Sequence, residues 1–283
     1  MALPLCPEHV DVRKWVIVVL YEIRGEYMMN TRFPVLFVSH GAPDILLQDD
    51  PIVELWKQQA QSLPRPHRIL IISAHWETRY FKLSGNRCQS MIYDFGGFSQ
   101  RLYSLKYQAK SNVAYTDLLA DKLDISVYNE RGLDHGAWVP LMAMYPEADI
   151  PVTQLSVVPS LGCEVHYKLG QRLQELRSKN VLIIASGVIT HNLAKLNWYD
   201  YYAKPDSWSR DFMTSFQDHV DNARWQTLFH PHDLPAGKQA VPTLEHYLPF
   251  LIATGAAGED KAVCFCDDWR YSNLAMHCYR FGG

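Results

Sequence analysis

Arg68-Ile-Leu-Ile-Ile-Ser-Ala-His-Trp76 is a run of branched apolar residues that stops at a histidine, and Val181-Leu-Ile-Ile-Ala-Ser-Gly187 repeats the pattern ahead of Val188-Ile-Thr-His191-Asn192. Neither run alternates polar with apolar residues. Each therefore reads as a strand covered on both faces, as in the parallel sheet of an α/β fold. Pro34-Val-Leu-Phe-Val-Ser39 and Val152-Thr-Gln-Leu-Ser-Val157 complete a set of four such segments. Helical patterns lie between them. Asp50-Pro51 opens one, followed by Ile52, Leu55, Trp56 and Gln59 at helical spacing. Ser111 is expected to cap a second, with Ala114, Leu118 and Leu119 on its apolar face. Val165, Leu169, Leu173 and Leu176 stripe a third that runs into Arg177 and Lys179, the charge sign expected at a helix C-terminus. Phe212, Phe216 and Val220 mark a fourth after Ser207. Alternating strands and helices predict a single layered α/β domain with a central, largely parallel or mixed sheet flanked by helices.

Composition narrows the function. A chain of 283 residues, 48% of them hydrophobic, can bury one large core. Its formal net charge of −3 offers no basic field to nucleic acid. The longest purely apolar run, Trp15 to Tyr21, is far short of the roughly 20 residues that cross a bilayer. Neither nucleic acid nor membrane is expected as a partner, and no heptad or apolar stripe singles out an oligomer interface. The six cysteines form no C-x-x-C pair, and Cys264-x-Cys266 stands alone, so they read as reduced thiols of a cytoplasmic protein.

The histidines carry the chemistry. His40, His75 and His191 each follow one of the apolar strands, and ligands collect at the carboxyl ends of strands in open α/β sheets. One histidine after a strand is more often a hydrogen-bonded structural residue than a ligand. Three in the same placement suggest a common point, and imidazole ligates zinc and ferrous iron alike. Asp134-His135-Gly136-Ala137-Trp138 sets a carboxylate beside an imidazole, with a glycine that permits close backbone approach. Pro242-Thr243-Leu244-Glu245-His246-Tyr247-Leu248-Pro249 reads as a helix start, with Thr243 as cap and His246 projecting toward the same crevice. The remaining histidines, His9, His67, His166, His219, His230, His232 and His277, are expected at the surface, His230-Pro231-His232 as a possible rim.

Ser39-His-Gly-Ala-Pro43, Ser73-Ala-His-Trp76, Tyr93-Asp-Phe-Gly-Gly-Phe98, Asp134-His-Gly-Ala-Trp138, Ser186-Gly-x-x-x-His-Asn-Leu193 and Pro242-Thr-x-Glu-His-Tyr-Leu-Pro249 resemble, in this order, one family. It is the class III extradiol ring-cleavage dioxygenases of the LigB type, in their 4,5-DOPA dioxygenase branch. The resemblance covers about residues 33–255. It implies a mononuclear divalent metal held by His40, His75 and His246, with His191 as a fourth ligand or as the acid–base residue beside it. Other class III enzymes use two histidines and a glutamate. His246 stands where the glutamate is expected, and an all-histidine set suits Zn(II) as bound as well as the Fe(II) that catalysis needs.

The implied reaction opens a catechol such as DOPA with O2. His191 and His135 are the expected catalytic residues, His191 for acid–base work and His135 as a supporting donor to substrate or bound oxygen. Tyr93, Phe95, Phe98 and Trp138 are the expected walls for the aromatic ring. A zinc-dependent hydrolase, or a non-catalytic relative keeping the metal for stability, would use the same histidines. Residues 33–283 are then the catalytic domain and residues 1–32 an N-terminal extension. Within that extension Arg13 and Lys14 precede a short apolar stretch, but no small-residue cleavage site follows, and Met28 or Met29 reads as a candidate natural start.

Overall fold

The computed structural model describes residues 32–283. The expected extension, apart from Arg32, and a start at Met28 or Met29 lie outside the described residues. The rest forms one α/β domain. Its strands are β1 (Val35–Ser39), β2 (Arg68–Glu77), β3 (Lys82–Ser84), β4 (Ser126–Tyr128), β5 (Val152–Val157), β6 (Val181–Gly187), β7 (Ala262–Cys266), β8 (Trp269–Arg270), β9 (Leu274–Ala275) and β10 (Cys278–Phe281). Its main helices are α1 (Pro51–Gln61), α2 (Val113–Leu123), α3 (His135–Met144), α4 (Gly162–Leu173), α5 (Ser207–Asp221) and α6 (Leu248–Ala257). The large sheet has the order β4-β3-β5-β2-β6-β1-β10-β7, and β8 and β9 form a separate ribbon. The four strands read from the sequence, β5, β2, β6 and β1, are its parallel centre. The edges are mixed: β10 runs antiparallel to β1 and β7, and β3 antiparallel to β5.

One apolar layer, including Phe212, Phe216, Phe250 and Leu173, covers one face of the sheet. A second, including Trp56, Trp138, Leu141 and Ile184, covers the other. Burial on both faces explains why the central strands show no alternation. It also explains why α3 and α6 were not legible as amphipathic helices: they are apolar all round and buried.

Local details depart from the sequence reading. Asn112, not Ser111, caps α2 by accepting from the Tyr115 amide, while the Ser111 hydroxyl donates to the Asn86 carbonyl. Helix α2 buries Thr116, Leu119, Ala120 and Leu123 and leaves Leu118 exposed, and Val165 is largely exposed on α4. Thr243 is no helix cap. Residues 242–247 form a turn, because Pro249 lacks an N–H and its ring would clash with the Glu245 carbonyl if the helix extended upstream, so α6 begins at Leu248. Arg177 does meet helix C-terminal carbonyls, but those of α6. It is fully buried, donating to Ala256 O, Ala257 O and Phe33 O and pairing with Asp260. The cysteines Cys88, Cys163, Cys264, Cys266 and Cys278 are all unpaired. No described helix is long and apolar enough to cross a membrane.

Candidate active site

Strand register brings the histidines together. β6 lies between β1 and β2, with Gly187 opposite Ser39 and Ser186 opposite Ser73. His40 leaves β1 one residue beyond that line. β2 does not stop before His75, as its apolar run implied, but continues to Glu77 through a break in register. From Ile72 opposite Leu155 to Glu77 opposite Val157 there are five steps on β2 against two on β5. Such an irregularity re-aims side chains, and His75 sits within it. Gly187 lets the 242–247 turn close over the end of β6: an added Cβ would strike the His246 carbonyl, which instead accepts from the Val188 amide at 3.0 Å. Gly136 has the same role beside β2, where a Cβ would meet His75 Cδ2 at 2.9 Å.

His40 Nε2 and His246 Nε2 each lie 3.1 Å from His75 Nε2. The partners of the other ring nitrogens decide what those three atoms are. Ser186 Oγ gives its only proton to the Gly136 carbonyl, so it accepts from His40 Nδ1–H at 2.9 Å. Asp94 Oδ2 faces His75 Nδ1 at 3.4 Å, and Glu245 Oε1 accepts from His246 Nδ1–H at 3.0 Å. His40 and His246 therefore carry the proton on Nδ1 and turn Nε2 lone pairs toward His75 Nε2, whose own Nδ1 faces a carboxylate. Lone pairs that close repel unless a cation lies among them. Two nitrogens each about 2.1 Å from one ion, at about 90–109°, would stand about 3.0–3.4 Å apart. The trio fits a single divalent metal.

Burial, reinforced by the neighbouring rings, holds His40 and His246 well below the ordinary imidazole range, His75 at about 4 and His191 at about 3. All four are neutral at pH 7, the ligand and proton-accepting form. Asp94 is opposed by its burial but is held down to about 2 by hydrogen bonds and charge from His135 and by His75.

His191 stacks on His246, centroids 3.5 Å apart and planes at 13°, and groups with Glu245 and His246 rather than with the trio. His135 begins α3, its ring centroid 3.9 Å from that of His75. The carboxylate that holds it is Asp94, which accepts from its Nδ1 at 2.9 Å and its amide at 3.0 Å. Neighbouring Asp134 turns away. Fully buried, it caps α3, accepting from the Ala137 amide, and binds Ser73, Gln154 and Arg131.

The five histidines and Asp94 line a cavity of 330 Å³. Phe98 is in its wall. Tyr93 and Trp138 stand one layer behind, packed on Phe95 at 6.2 and 6.1 Å, with Tyr93 donating to Leu105 O and Trp138 to Ile92 O. Phe95, also named from the sequence, lines the cavity too, and the wall residues not anticipated are Leu193, Leu196, Trp198, Tyr271 and Leu274. Asp94 was also missed, although it lies inside the Tyr93–Phe98 block. A larger groove of 820 Å³ beside Phe81 and α4 contains no histidine, so chemistry rather than size selects the smaller cavity. Two histidines expected at the surface are buried: His166, with both nitrogens bonded to backbone, and His277, beneath Trp269. His230 and His232 are not in the cavity wall; His232 donates to Val241 O instead.

A family model, the catalytic LigB subunit of aromatic ring-opening dioxygenase, matches residues 34–282. The chain is 37% identical over 272 residues to a protein of Escherichia coli (strain K12) named 4,5-DOPA dioxygenase extradiol, covering 92% of this chain and 98% of that one. It is 38% identical over 261 residues to a protein of the same name from Beta vulgaris, covering 87% and 95%. A crystal structure of an uncharacterized protein, JW3007, from Escherichia coli K12 superposes with a TM-score of 0.76 at 30% identity, covering 89% of this chain and all of that one. A mixed sheet that gathers neutral histidines at one edge, with these likenesses along almost its whole length, places the chain in the LigB family: it is a class III extradiol dioxygenase, an oxidoreductase acting on an aromatic substrate with O2.

Proposed function

We propose that the chain opens the ring of a catechol, the class that includes DOPA, at a mononuclear metal held by the Nε2 atoms of His40, His75 and His246. The observation that carries this reading is the meeting of three Nε2 atoms, those of His40 and His246 each 3.1 Å from that of His75, with Ser186 and Glu245 accepting on Nδ1 of His40 and His246 and Asp94 3.4 Å from Nδ1 of His75. Ferrous iron, when bound, supplies the electron-transfer chemistry that lets dioxygen react with a closed-shell ring, whereas zinc suits the same donors without it.

His191 does the acid–base work in this reading. Its neutral ring accepts the proton a catechol hydroxyl loses and returns it as the ring opens. Its stacking on His246, outside the trio, supports this role over that of a fourth ligand. His135, with Nδ1–H committed to Asp94, turns Nε2 toward the substrate as a hydrogen-bond acceptor. Phe95 and Phe98 stand at right angles, centroids 5.6 Å apart, and supply aromatic walls that Tyr93 and Trp138 support from behind.

The test is to reconstitute metal-free protein anaerobically with Fe(II) or Zn(II), add catechols in air, and follow oxygen uptake with absorbance of the ring-opened product. Uptake matched to product with Fe(II) alone is the expected result. Silence with Fe(II) shown to be bound would refute the reading. His191→Ala and His135→Asn are expected to keep the fold and lower turnover by about 10²–10⁴-fold, and near-parental rates would remove their assigned roles.

A further inference from the structure

We infer that Cys266 and Cys278 form a redox-active dithiol that hydrogen peroxide closes to a disulfide, and that the closure is felt at the neighbouring His40. The two residues are direct partners across the antiparallel pair β7–β10. Cα atoms so paired stand about 4.5–5.5 Å apart, within the roughly 4.4–6.8 Å that a disulfide spans. Both side chains belong to the same apolar layer, with Trp56 and Met276. Cys264, two residues before Cys266, packs against the opposite layer. A bulge makes the difference: Cys278 and Tyr279 are consecutive, whereas their partners are Cys266 and Cys264. The strand pairing thus offers Cys278 one of the two β7 thiols and turns the other away. β7 is the last strand of the sheet, and Cys266 on it is 8% exposed while Cys278 is fully buried.

The two thiols have different surroundings. A hydrogen bond from Cys278, helped by the Asp268 amide, holds the Cys266 thiol below its ordinary range against its burial, whereas burial pushes the Cys278 thiol well up. Cys266 is the attacking thiolate and Cys278 the resolving thiol. Cys266 sulfur bonds to one peroxide oxygen as the O–O bond breaks, which leaves a sulfenic acid and one water. Cys278 sulfur then bonds to Cys266 sulfur as the S–O bond breaks, releasing a second water. Two thiols lose two electrons and two protons, and one peroxide is reduced to two waters.

Two connections carry the closure to the site. Cys278 Sγ accepts from the Ser39 amide at 3.3 Å, and Ser39 immediately precedes His40. A sulfur drawn into a bond with Cys266 turns away from that amide. The same hairpin also continues beyond the pair, through the Met276 amide to Asp268 O at 2.9 Å, into β8 and β9. The tip of that ribbon brings Tyr271 and Leu274 to the cavity wall.

The experiment treats the Zn(II)-loaded full chain with hydrogen peroxide, blocks the remaining thiols and maps tryptic peptides by mass. Cleavage after Lys261, Arg270 and Arg280 puts the two cysteines on separate peptides, 262–270 and 271–280. The expected result is a covalent link between these peptides that a phosphine reductant separates, kept in Cys264→Ser and lost in Cys266→Ser. No link in the parental chain, or a link that runs through Cys264, overturns the inference. Zinc affinity, measured by chelator competition, is expected to fall at least about threefold on oxidation and to return on reduction. In Cys266→Ser peroxide should leave it unchanged. An affinity unmoved by a mapped link removes the connection to His40, and so does an equal fall in Cys266→Ser, which would mean that peroxide acts on the site directly.

Discussion

His166 and His246 are both buried imidazoles of one domain, and they differ in a single respect. At His166 both nitrogens are satisfied by backbone: Nδ1–H donates to the Gly162 carbonyl at 2.6 Å, and Nε2 accepts from the Val158 amide at 3.0 Å. At His246 only Nδ1 is satisfied, by Glu245, and Nε2 faces that of His75. The buried ion pair between Asp50 and Arg270 resembles the first case. It is bidentate at 2.6 and 2.7 Å, with Tyr201 adding a third bond to the carboxylate. Where a buried polar cluster closes on itself, it holds the fold. Where it leaves lone pairs aimed at one another, it is completed by something the chain does not contain, and stability there has been given up for function.

That contrast is open to attack, most forcefully at the trio. His246→Ala is expected to leave the domain folded but to lower metal content from about one per chain to under about a tenth, with oxygen uptake down at least about 10³-fold. Elemental analysis of purified protein checks this, and retained metal would break the comparison. Arg270→Met should act in the opposite sense. It leaves Asp50 buried without its partner and costs about 3–5 kcal/mol in denaturant unfolding, while folded protein keeps its metal.

His166 sharpens the comparison through pH. Burial lowers its folded-state value to about 4 against an ordinary 6.5, so the unfolded chain binds more protons between these values. Its contribution is fully present above pH 6.5 and is lost as pH falls toward 4, by about 3 kcal/mol from this one group. His166→Gln should flatten that part of the stability–pH curve, and an unchanged slope would show that His166 is not the closed cluster described here. Smallest is Asp94→Asn. The amide oxygen can still accept from His135, but the negative charge facing His75 and His135 is gone, and zinc affinity in chelator competition should fall about 10–100-fold without loss of fold.

Much of the fold was legible because it rests on local composition. Strands covered on both faces must be apolar throughout, so β1, β2, β5 and β6 stand out in sequence, as do helices α1, α4 and α5 with one wet face. The short antiparallel edges did not, because β3, β4 and β10 are only three or four residues long and their pairing is set by neighbours distant in the chain. At the site, the histidine positions were legible as strand-end residues and family blocks. Asp94 was not, since aromatic neighbours in its block drew the reading toward the substrate ring. Asp134 looked like the partner of His135 because it is adjacent, yet helix geometry makes it a cap.

The sequence by itself determined a layered α/β domain, its parallel centre, the family, and which histidines come to the carboxyl edge, because burial demands and chain order are written residue by residue. Only the tertiary structure decided which nitrogen of each ring faces the common point, and which buried histidines are closed and which open. His40 is oriented by Ser186, 146 residues away, and His135 by Asp94, 41 residues away. A proton's position on an imidazole depends on the acceptor it meets, and that acceptor is chosen by strand register and turn geometry.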